Sequence, residues 1–434
     1  MNEISQNRYF FTGIGGIGMS ALAQMLLADG NIVSGSDREE SPVTHMLEEK
    51  GIHVRIGQKA ENLPQELNLL VYSDAVPEDN PERAEAARRG IAQLSYFQVL
   101  GRISAGKRTI AVSGTHGKTT TTGMLAKILQ AAGAEESAII GSIVQDFGSN
   151  YLQGTSDLFV VEACEYRDHL LELSPEILII TNLEWDHTDY FPTLAALQAT
   201  FRKAIDRVPA NGYIITDPQE PNIQPLLEHC AATIIDYMQE PERMLLLPGE
   251  FNQDNARAAA AAARAAMPTI QEHIINEALA DFHGTWRRFQ YKGKAQSGAE
   301  VYDDYAHHPT AIVETLRALK EKREKEGREG KILVAFHPHL FSRTRDLLDG
   351  FARAFGDADE VILAPIYAAR EVDDGTMSSD ILAEHIRKES VSVRATNSLE
   401  DVEHLLNGMA KEGDTIITMG AGDIYKVADS LVAK

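Results

Sequence analysis

The sequence predicts an α/β protein of three domains with mostly parallel sheets, and three observations point there. Short β-branched runs alternate with longer amphipathic or Ala-rich segments along almost the whole chain, the pattern of βαβ units. The alternation restarts twice, after Ser104-Ala105-Gly106-Lys107 and after His283-Gly284. At 434 residues the chain is also too long for one hydrophobic core.

Taken in order, the first block opens with a strand at 8–12, a Gly-rich turn and a helix at 17–28. A second strand follows at 32–36, and apolar runs near Ile52 and at 69–72 carry the pattern to about Gly101. The small, polar stretch 104–107 reads as a linker, and a strand at 109–113 starts the second block. Buried-strand candidates stand at 158–161 and 177–181, and the Ala-rich stretch 256–266 reads as helix because Ala is the best helix former. The third block has strands near Val301 and at 332–336, 361–363 and 415–418. The charge run 321–326 reads as a solvated helix end.

Composition narrows the class. Apolar residues make up 44% and charged residues 24%, as in an ordinary globular protein. Two cysteines, Cys164 and Cys230, cannot build a disulfide scaffold, which fits a reducing cytoplasm. The start MNEISQNRYFF lacks a basic segment followed by an apolar one, and no run of about 18 apolar residues is present to span a membrane. The net charge of −23 argues against general nucleic-acid binding, but not against nucleotides held by local loops.

Gly13-Ile14-Gly15-Gly16-Ile17-Gly18 sits between a strand and a helix, with Asp37 at the end of the second strand. Glycines there let a diphosphate approach the amides of a helix N-terminus, and an acid at that distance binds a ribose hydroxyl. The motif does not say which diphosphate, and a tight structural turn is its bland alternative. Gly114-Thr115-His116-Gly117-Lys118-Thr119-Thr120 is sharper: backbone amides cradle phosphate oxygens, Lys118 neutralises their charge, and the Thr119 hydroxyl can ligate magnesium. It departs from a strict Walker A at Val112, where the first glycine would stand. Glu162 and His187 follow strand candidates of the same block, where ligands of parallel sheets gather. A carboxylate suits magnesium, whereas His187 taken alone reads as a loop histidine. Phe251-Asn252-Gln253-Asp254-Asn255 reads as the N-cap of the Ala-rich helix. Asp303-Asp304-Tyr305-Ala306-His307-His308-Pro309 and the stretch from His337 to Arg345 each follow a strand, and the cations of the second read as an anion or carboxylate clamp.

Together, GIGGIGMSALA, GTHGKTTTT, TNLEWDH, NARAAAAA, GTWRRF, DDYAHHPT, FSRTRDL and GAGDIYKVADSL resemble the Mur ligase family, in family order over nearly the whole chain. The resemblance implies a Rossmann-like N-terminal domain (1–104) for a UDP-sugar, a P-loop ATPase-like central domain (105–284) and a Rossmann-like C-terminal domain (285–434) for the amino acid. It implies ATP-dependent ligation of L-alanine to the carboxylate of UDP-N-acetylmuramate through an acyl phosphate, in peptidoglycan precursor synthesis, with ATP and Mg²⁺ as cofactors. Gly13, Gly15, Gly16, Ile17, Gly18, Asp37 and Ser73 would hold the UDP-sugar. The 114–120 turn, Asn252, Arg288 and Asp304 would hold ATP, and Thr119, Glu162 and His187 the metal. Tyr305, His339 and Arg343 would surround the amino acid. Lys118, His187, Asp304, His308 and Arg343 would be catalytic.

The implied partners are small molecules, with no nucleic acid and no membrane insertion, for a cytoplasmic monomer or weak homodimer. Departures from the family pattern are Ser95-Tyr96-Phe97 before the first linker, Phe251 beside Asn252, a short stretch 212–249, and Leu340 after His339, which removes a cation from the expected clamp. Three alternatives stand beside this reading. One is a related ligase taking glycine, serine or a peptide, the last opposed by FSRTRDL. Another is an NAD-dependent dehydrogenase, which leaves GTHGKTTTT unexplained. The third is a nucleotide-sensing module without ligation.

Overall fold

The computed structural model describes residues 6–432. Its contacts form two units: one of Met1–Leu183, Gln198–Pro241 and Ala256–Leu279, the other of Glu184–Leu197, Glu242–Asn255 and Ala280–Lys434. The first unit holds two sheets and the second unit one, giving three α/β layers.

The first sheet comprises β1 (Arg8–Thr12), β2 (Ile32–Asp37), β3 (His53–Ile56), β4 (Leu69–Tyr72) and β5 (Ala92–Ser95), in the order β3-β2-β1-β4-β5. Every pair is parallel, and the order reverses at β1. That reversal opens a crevice at the carboxyl end of β1, where the glycine turn leads into the helix Ile17–Ala28.

The second sheet comprises β6 (Arg108–Ser113), β7 (Ser137–Val144), β8 (Ser149–Leu152), β9 (Leu158–Glu162), β10 (Ile177–Ile180), β11 (Tyr213–Thr216) and β12 (Thr233–Asp236). Its order is β12-β11-β10-β6-β9-β7-β8, and only β7 with β8 is antiparallel. Ile110, Ala111, Val112, Val160, Val161, Ile179 and Ile180 are all essentially inaccessible, as strands covered on both faces must be. Each of these Val and Ile side chains contributes roughly 1.5–3 kcal/mol by leaving water. The short stretch 212–249 contributes β11 and β12 to one edge of this sheet.

The third sheet comprises β13 (Gln290–Lys294), β14 (Glu300–Asp304), β15 (Ile332–Phe336), β16 (Glu360–Leu363), β17 (Val393–Ala395) and β18 (Thr415–Met419). It runs β13-β14-β18-β15-β16-β17, antiparallel only between β13 and β14. One apolar cluster centres on Phe336, Phe351 and Phe355, and another on Val301, Leu333 and Ile416, so both faces are covered.

Two local expectations fail for identifiable reasons. Phe251 to Asn255 do not cap the Ala-rich helix: it begins at Glu250, directly after Pro248-Gly249, and runs to Ala266, so these residues fill its first turns. The charge run is not wholly solvated. Ile312, Leu316, Leu319 and Arg323 share the inward stripe of the helix Pro309–Lys325. Arg323 is therefore buried, and its guanidinium donates to the Thr415 hydroxyl and to the Gly330 carbonyl at 2.6 Å.

Candidate active site

In the first sheet, the crevice gathers residues expected to hold the sugar nucleotide. The Gly15 amide donates to Asp37 Oδ2 at 2.7 Å, and the Ser73 amide donates to the Thr12 carbonyl at 3.2 Å. A Cβ on Gly13 would come within 3.3 Å of Ser73 Cβ, and one on Gly18 would strike the Tyr96 ring at 2.7 Å. Gly16 is the N-cap of the helix, and Ile17 and Gly18 are its first residues, with amides that lack an intrahelical acceptor.

In the second sheet, the phosphate turn leaves β6, which β10 and β9 flank, so it too sits at a reversal of strand order. Gly114 and Gly117 have φ of +127° and +82°, values that a side chain would oppose. A Cβ on Gly114 would also lie 2.2 Å from Thr181 Oγ1. The turn is fixed from behind by Asn182, whose carbonyl accepts from Thr115 N–H at 3.1 Å and whose Oδ1 accepts from His116 N–H at 2.9 Å. Lys118, Thr119 and Thr120 open the helix Lys118–Ala131. Lys118 Nζ folds back onto the Gly114 and Thr115 carbonyls and bonds both Glu165 oxygens at 3.0 Å. Burial pushes the Lys118 pKa down, but Glu165, Cys164 and Glu162 outweigh it and hold the ammonium more firmly charged than usual. Glu162, ending β9, accepts the Gly141 amide at 2.9 Å, and a Cβ at Gly141 would overlap its carboxylate. Burial pushes the nearby Cys164 thiol up to about 12, which makes it inert.

The second unit carries the remaining expected residues. Asp304 ends β14 and is buried, accepting the Phe289 and Ala306 amides at 2.6 and 2.7 Å. Burial lifts its pKa to about 6 against the pull of Arg288 and those amides. The Arg288 guanidinium lies 5.0 Å from the centre of the Tyr305 ring. Its neighbour Arg287 is structural, tied to Asp303 at 2.8 Å and to the Gly420 and Gly422 carbonyls. Asn252 donates to the Pro248 carbonyl at 2.7 Å and accepts from Asn255 at 3.3 Å.

His308 caps the helix Pro309–Lys325 and stands 3.5 Å from Glu184, whose carboxylate also accepts the Thr310 hydroxyl at 2.6 Å. Arg343 is almost inaccessible. Its Nε donates to Asp186 Oδ1 at 2.8 Å and its Nη1 to His339 Nδ1 at 3.0 Å. Burial alone would raise the Asp186 pKa, yet the Arg343 guanidinium beside it holds the carboxyl well below the usual carboxylate range. His187, beside Asp186, adopts φ +51°. The histidines around Arg343 stay neutral. Burial and Arg343 press His307 far down, and burial with Arg343 and Arg370 brings His339 to about 3. Leu340 is fully buried at φ +69°, so its side chain belongs to the core.

Glu165, Asn182 and Asp186 thus support residues that the sequence singles out, and were not singled out themselves. Their signal is adjacency: Glu165 lies three residues after Glu162, and Asn182 and Asp186 lie within the TNLEWDH motif.

The chain matches three family profiles, described as Mur ligase family, catalytic domain (residues 8–108), Mur ligase middle domain (112–243) and Mur ligase, glutamate ligase domain (287–422). It is 37% identical to a UDP-N-acetylmuramate–L-alanine ligase of Clostridium botulinum, over 97% of this chain and 96% of the relative. The enzyme of that name from Caldicellulosiruptor saccharolyticus is 36% identical, over 99% of both chains. Among solved structures, the UDP-N-acetylmuramate-alanine ligase of Thermotoga maritima superposes with a TM-score of 0.79 at 27% identity, over 98% of each chain. A murein peptide ligase from Psychrobacter arcticus does so with a TM-score of 0.74 at 25% identity, again over 98% of each.

Proposed function

The chain belongs to the Mur ligase family, and from that premise we propose that it joins L-alanine to the carboxylate of UDP-N-acetylmuramate at the expense of ATP. The observation that carries this reading is likeness to alanine ligases across almost the entire chain. In the first step a carboxylate oxygen attacks the γ-phosphorus, an O–P bond forms, and ADP leaves. In the second, the neutral amine of alanine attacks the acyl carbon through a tetrahedral intermediate and phosphate leaves.

The residues suit these steps. The 114–120 turn offers amides to phosphate oxygens, and Lys118 can exchange Glu165 for the β/γ-phosphates without changing its charge state. Two anions must meet in the first step, so a fixed cation at this point lowers the barrier directly. The oxygen donors of Thr119 and Glu162 fit Mg²⁺, a hard ion, and we place His187 with them. Bound there, Mg²⁺ would neutralise charge on the transferring phosphoryl group. Asn252, Arg288 and Asp304 are assigned to the nucleotide. Tyr305, His339 and Arg343 are assigned to alanine, with His308 among the catalytic groups. The sugar nucleotide is assigned to Gly13, Gly15, Gly16, Ile17, Gly18, Asp37 and Ser73. Domain limits at 104/105 and 284/285 belong to this reading, as does a cytoplasmic location. Among the described residues no helix is long and apolar enough to cross a membrane.

The test is phosphate release with ATP, Mg²⁺ and UDP-N-acetylmuramate, adding one amino acid at a time and then a tripeptide. Release with L-alanine supports the proposal. Release only with glycine, serine or the tripeptide reassigns the acceptor, and no release with any of them overturns ligation.

A further inference from the structure

We propose that Arg370 is a second cation of the carboxylate clamp for the incoming amino acid, acting with Arg343. The inference rests on the reading of Tyr305, His339 and Arg343 as the amino-acid site. It starts from how two segments pair. Tyr367 N–H donates to the Pro338 carbonyl at 2.8 Å, and Leu340 N–H donates to the Tyr367 carbonyl at 2.9 Å. The His339 and Tyr367 rings stack with centroids 5.6 Å apart at 22°. Four residues on, Glu371 accepts from the Ser342 amide at 3.1 Å and from its hydroxyl. Arg370 lies between these two anchors, so its backbone is fixed beside the His339 segment at both ends.

Charge makes the same point. His339 is neutral because it is buried and because Arg343 and then Arg370 oppose a proton on it. Two guanidinium groups therefore bear on one neutral imidazole, and each is steadied by an acid of the same segment. Asp186 takes Arg343 Nε at 2.8 Å, and one oxygen of Asp189 takes Arg370 Nε and Nη2 at 3.0 and 2.6 Å. Arg343 has already committed Nε to Asp186 and Nη1 to His339. A planar carboxylate is recognised best by paired N–H donors. Leu340 is aliphatic and wholly buried, so it adds no cation to this site. Arg370 keeps 41% of its side chain exposed, so it can reach a ligand. An ion pair with Asp189 that did nothing else would contribute little to stability and nothing to substrate choice.

The experiment uses the full-length protein, measuring phosphate release at saturating ATP, Mg²⁺ and UDP-N-acetylmuramate while L-alanine and L-alaninamide are titrated separately. Arg370→Ala should raise KM for L-alanine by about tenfold, the loss of one charge-assisted contact. It should shrink the preference for alanine over its amide by the same factor, because the amide lacks the carboxylate. KM for ATP and for UDP-N-acetylmuramate should stay unchanged, and Arg370→Lys should recover part of the loss. An unchanged KM for L-alanine overturns the inference, as does an equal loss on alanine and alaninamide. If the unsubstituted protein turns over another amino acid instead, that acid and its amide serve as the pair. The substrate profile of the unsubstituted protein thus judges the acceptor assignment, and the variants judge Arg370.

Discussion

At the carboxyl end of β6 charge is handled mainly by backbone, whereas beyond β14 and β15 it is handled by side chains. The 114–120 turn relies on Gly114, Gly117 and a row of amides, and its half-buried cation, Lys118, leans on two carbonyls as well as on Glu165. In the other unit, Arg343 is nearly inaccessible, held by Asp186 and ringed by neutral histidines. On the proposed assignment a phosphate would replace Glu165 at Lys118, one anion substituting for another. Nothing of that kind replaces Asp186, because it also fixes where the guanidinium points. The proposed phosphate site would therefore tolerate a shift in its partners, while the proposed acceptor site would depend on single side chains.

The largest expected effect lies on the backbone-built side. Lys118→Ala should reduce turnover by about 10³-fold or more, because on the proposed assignment its charge faces a group that gains charge in the transition state. Affinity for UDP-N-acetylmuramate, read by calorimetric titration, should stay nearly unchanged. Loss of both would show that the glycine crevice of the first sheet and the phosphate turn do not bind independently, and the contrast drawn above would fall.

The side-chain-built region should instead fail in stability. Asp186→Ala leaves a buried guanidinium without its carboxylate, a change that costs about 3–5 kcal/mol. Both tryptophans of the chain, Trp185 and Trp286, belong to this unit, so its urea unfolding can be followed by their fluorescence. Glu165→Gln lies in the first unit, which holds neither tryptophan, so its unfolding is followed by far-UV circular dichroism, and it should shift much less because Lys118 keeps its carbonyl partners. Equal shifts for the two variants would erase the distinction.

These two ion pairs also mark how far the sequence could be read. The phosphate turn is legible because strand, glycines and Lys-Thr lie in ten contiguous residues with a fixed physical role. The strands at 332–336 and 69–72 and the helix at 17–28 were legible to the residue, since periodicity is local. Pairing across the chain is not local. Glu165 is 47 residues from Lys118, and Asp186 is 157 from Arg343, so no spacing rule links them. Arg323 was misread because five neighbouring charges are more accessible, and only the helical stripe from Ile312 reveals its inward position. Leu340 was read as a missing cation of the clamp, and its left-handed backbone and complete burial could not be seen from the sequence.

Acid should separate the regions next. His337 sits near 4, held there by burial despite Asp423, and His339 near 3, held by burial, Arg343 and Arg370 despite Asp186. Both lie below the usual histidine value, so the fold favours their neutral form. The stability they contribute is fully present above about pH 6.5 and is lost as pH falls toward those values. At pH 5 the loss should be roughly 2 kcal/mol per histidine. Tryptophan-monitored unfolding should move to lower urea between pH 7 and pH 5, and His337→Phe should flatten that dependence. A midpoint indifferent to pH over this range would mean that these rings are not held neutral.

The smallest effect compares two helix ends. The helix Lys118–Ala131 in the first unit closes through Gly133, at φ +72°, whose amide donates to the Gln130 carbonyl at 3.0 Å. The helix Ser379–Lys388 in the second unit closes in the same way on Ser390, at φ +65°, donating to Arg387 at 3.1 Å. A serine pays a steric penalty in that left-handed conformation which glycine does not. Ser390 is exposed, so replacing it removes no packing. Ser390→Gly should therefore stabilise the second unit by about 0.5–1 kcal/mol. Gly133→Ser should destabilise the first by a similar amount. Tryptophan fluorescence should register the first change directly. If Ser390→Gly lowered the urea midpoint, the extra freedom of glycine in the unfolded chain would outweigh the relieved strain, and this helix end would not be a weak point of the side-chain-built unit.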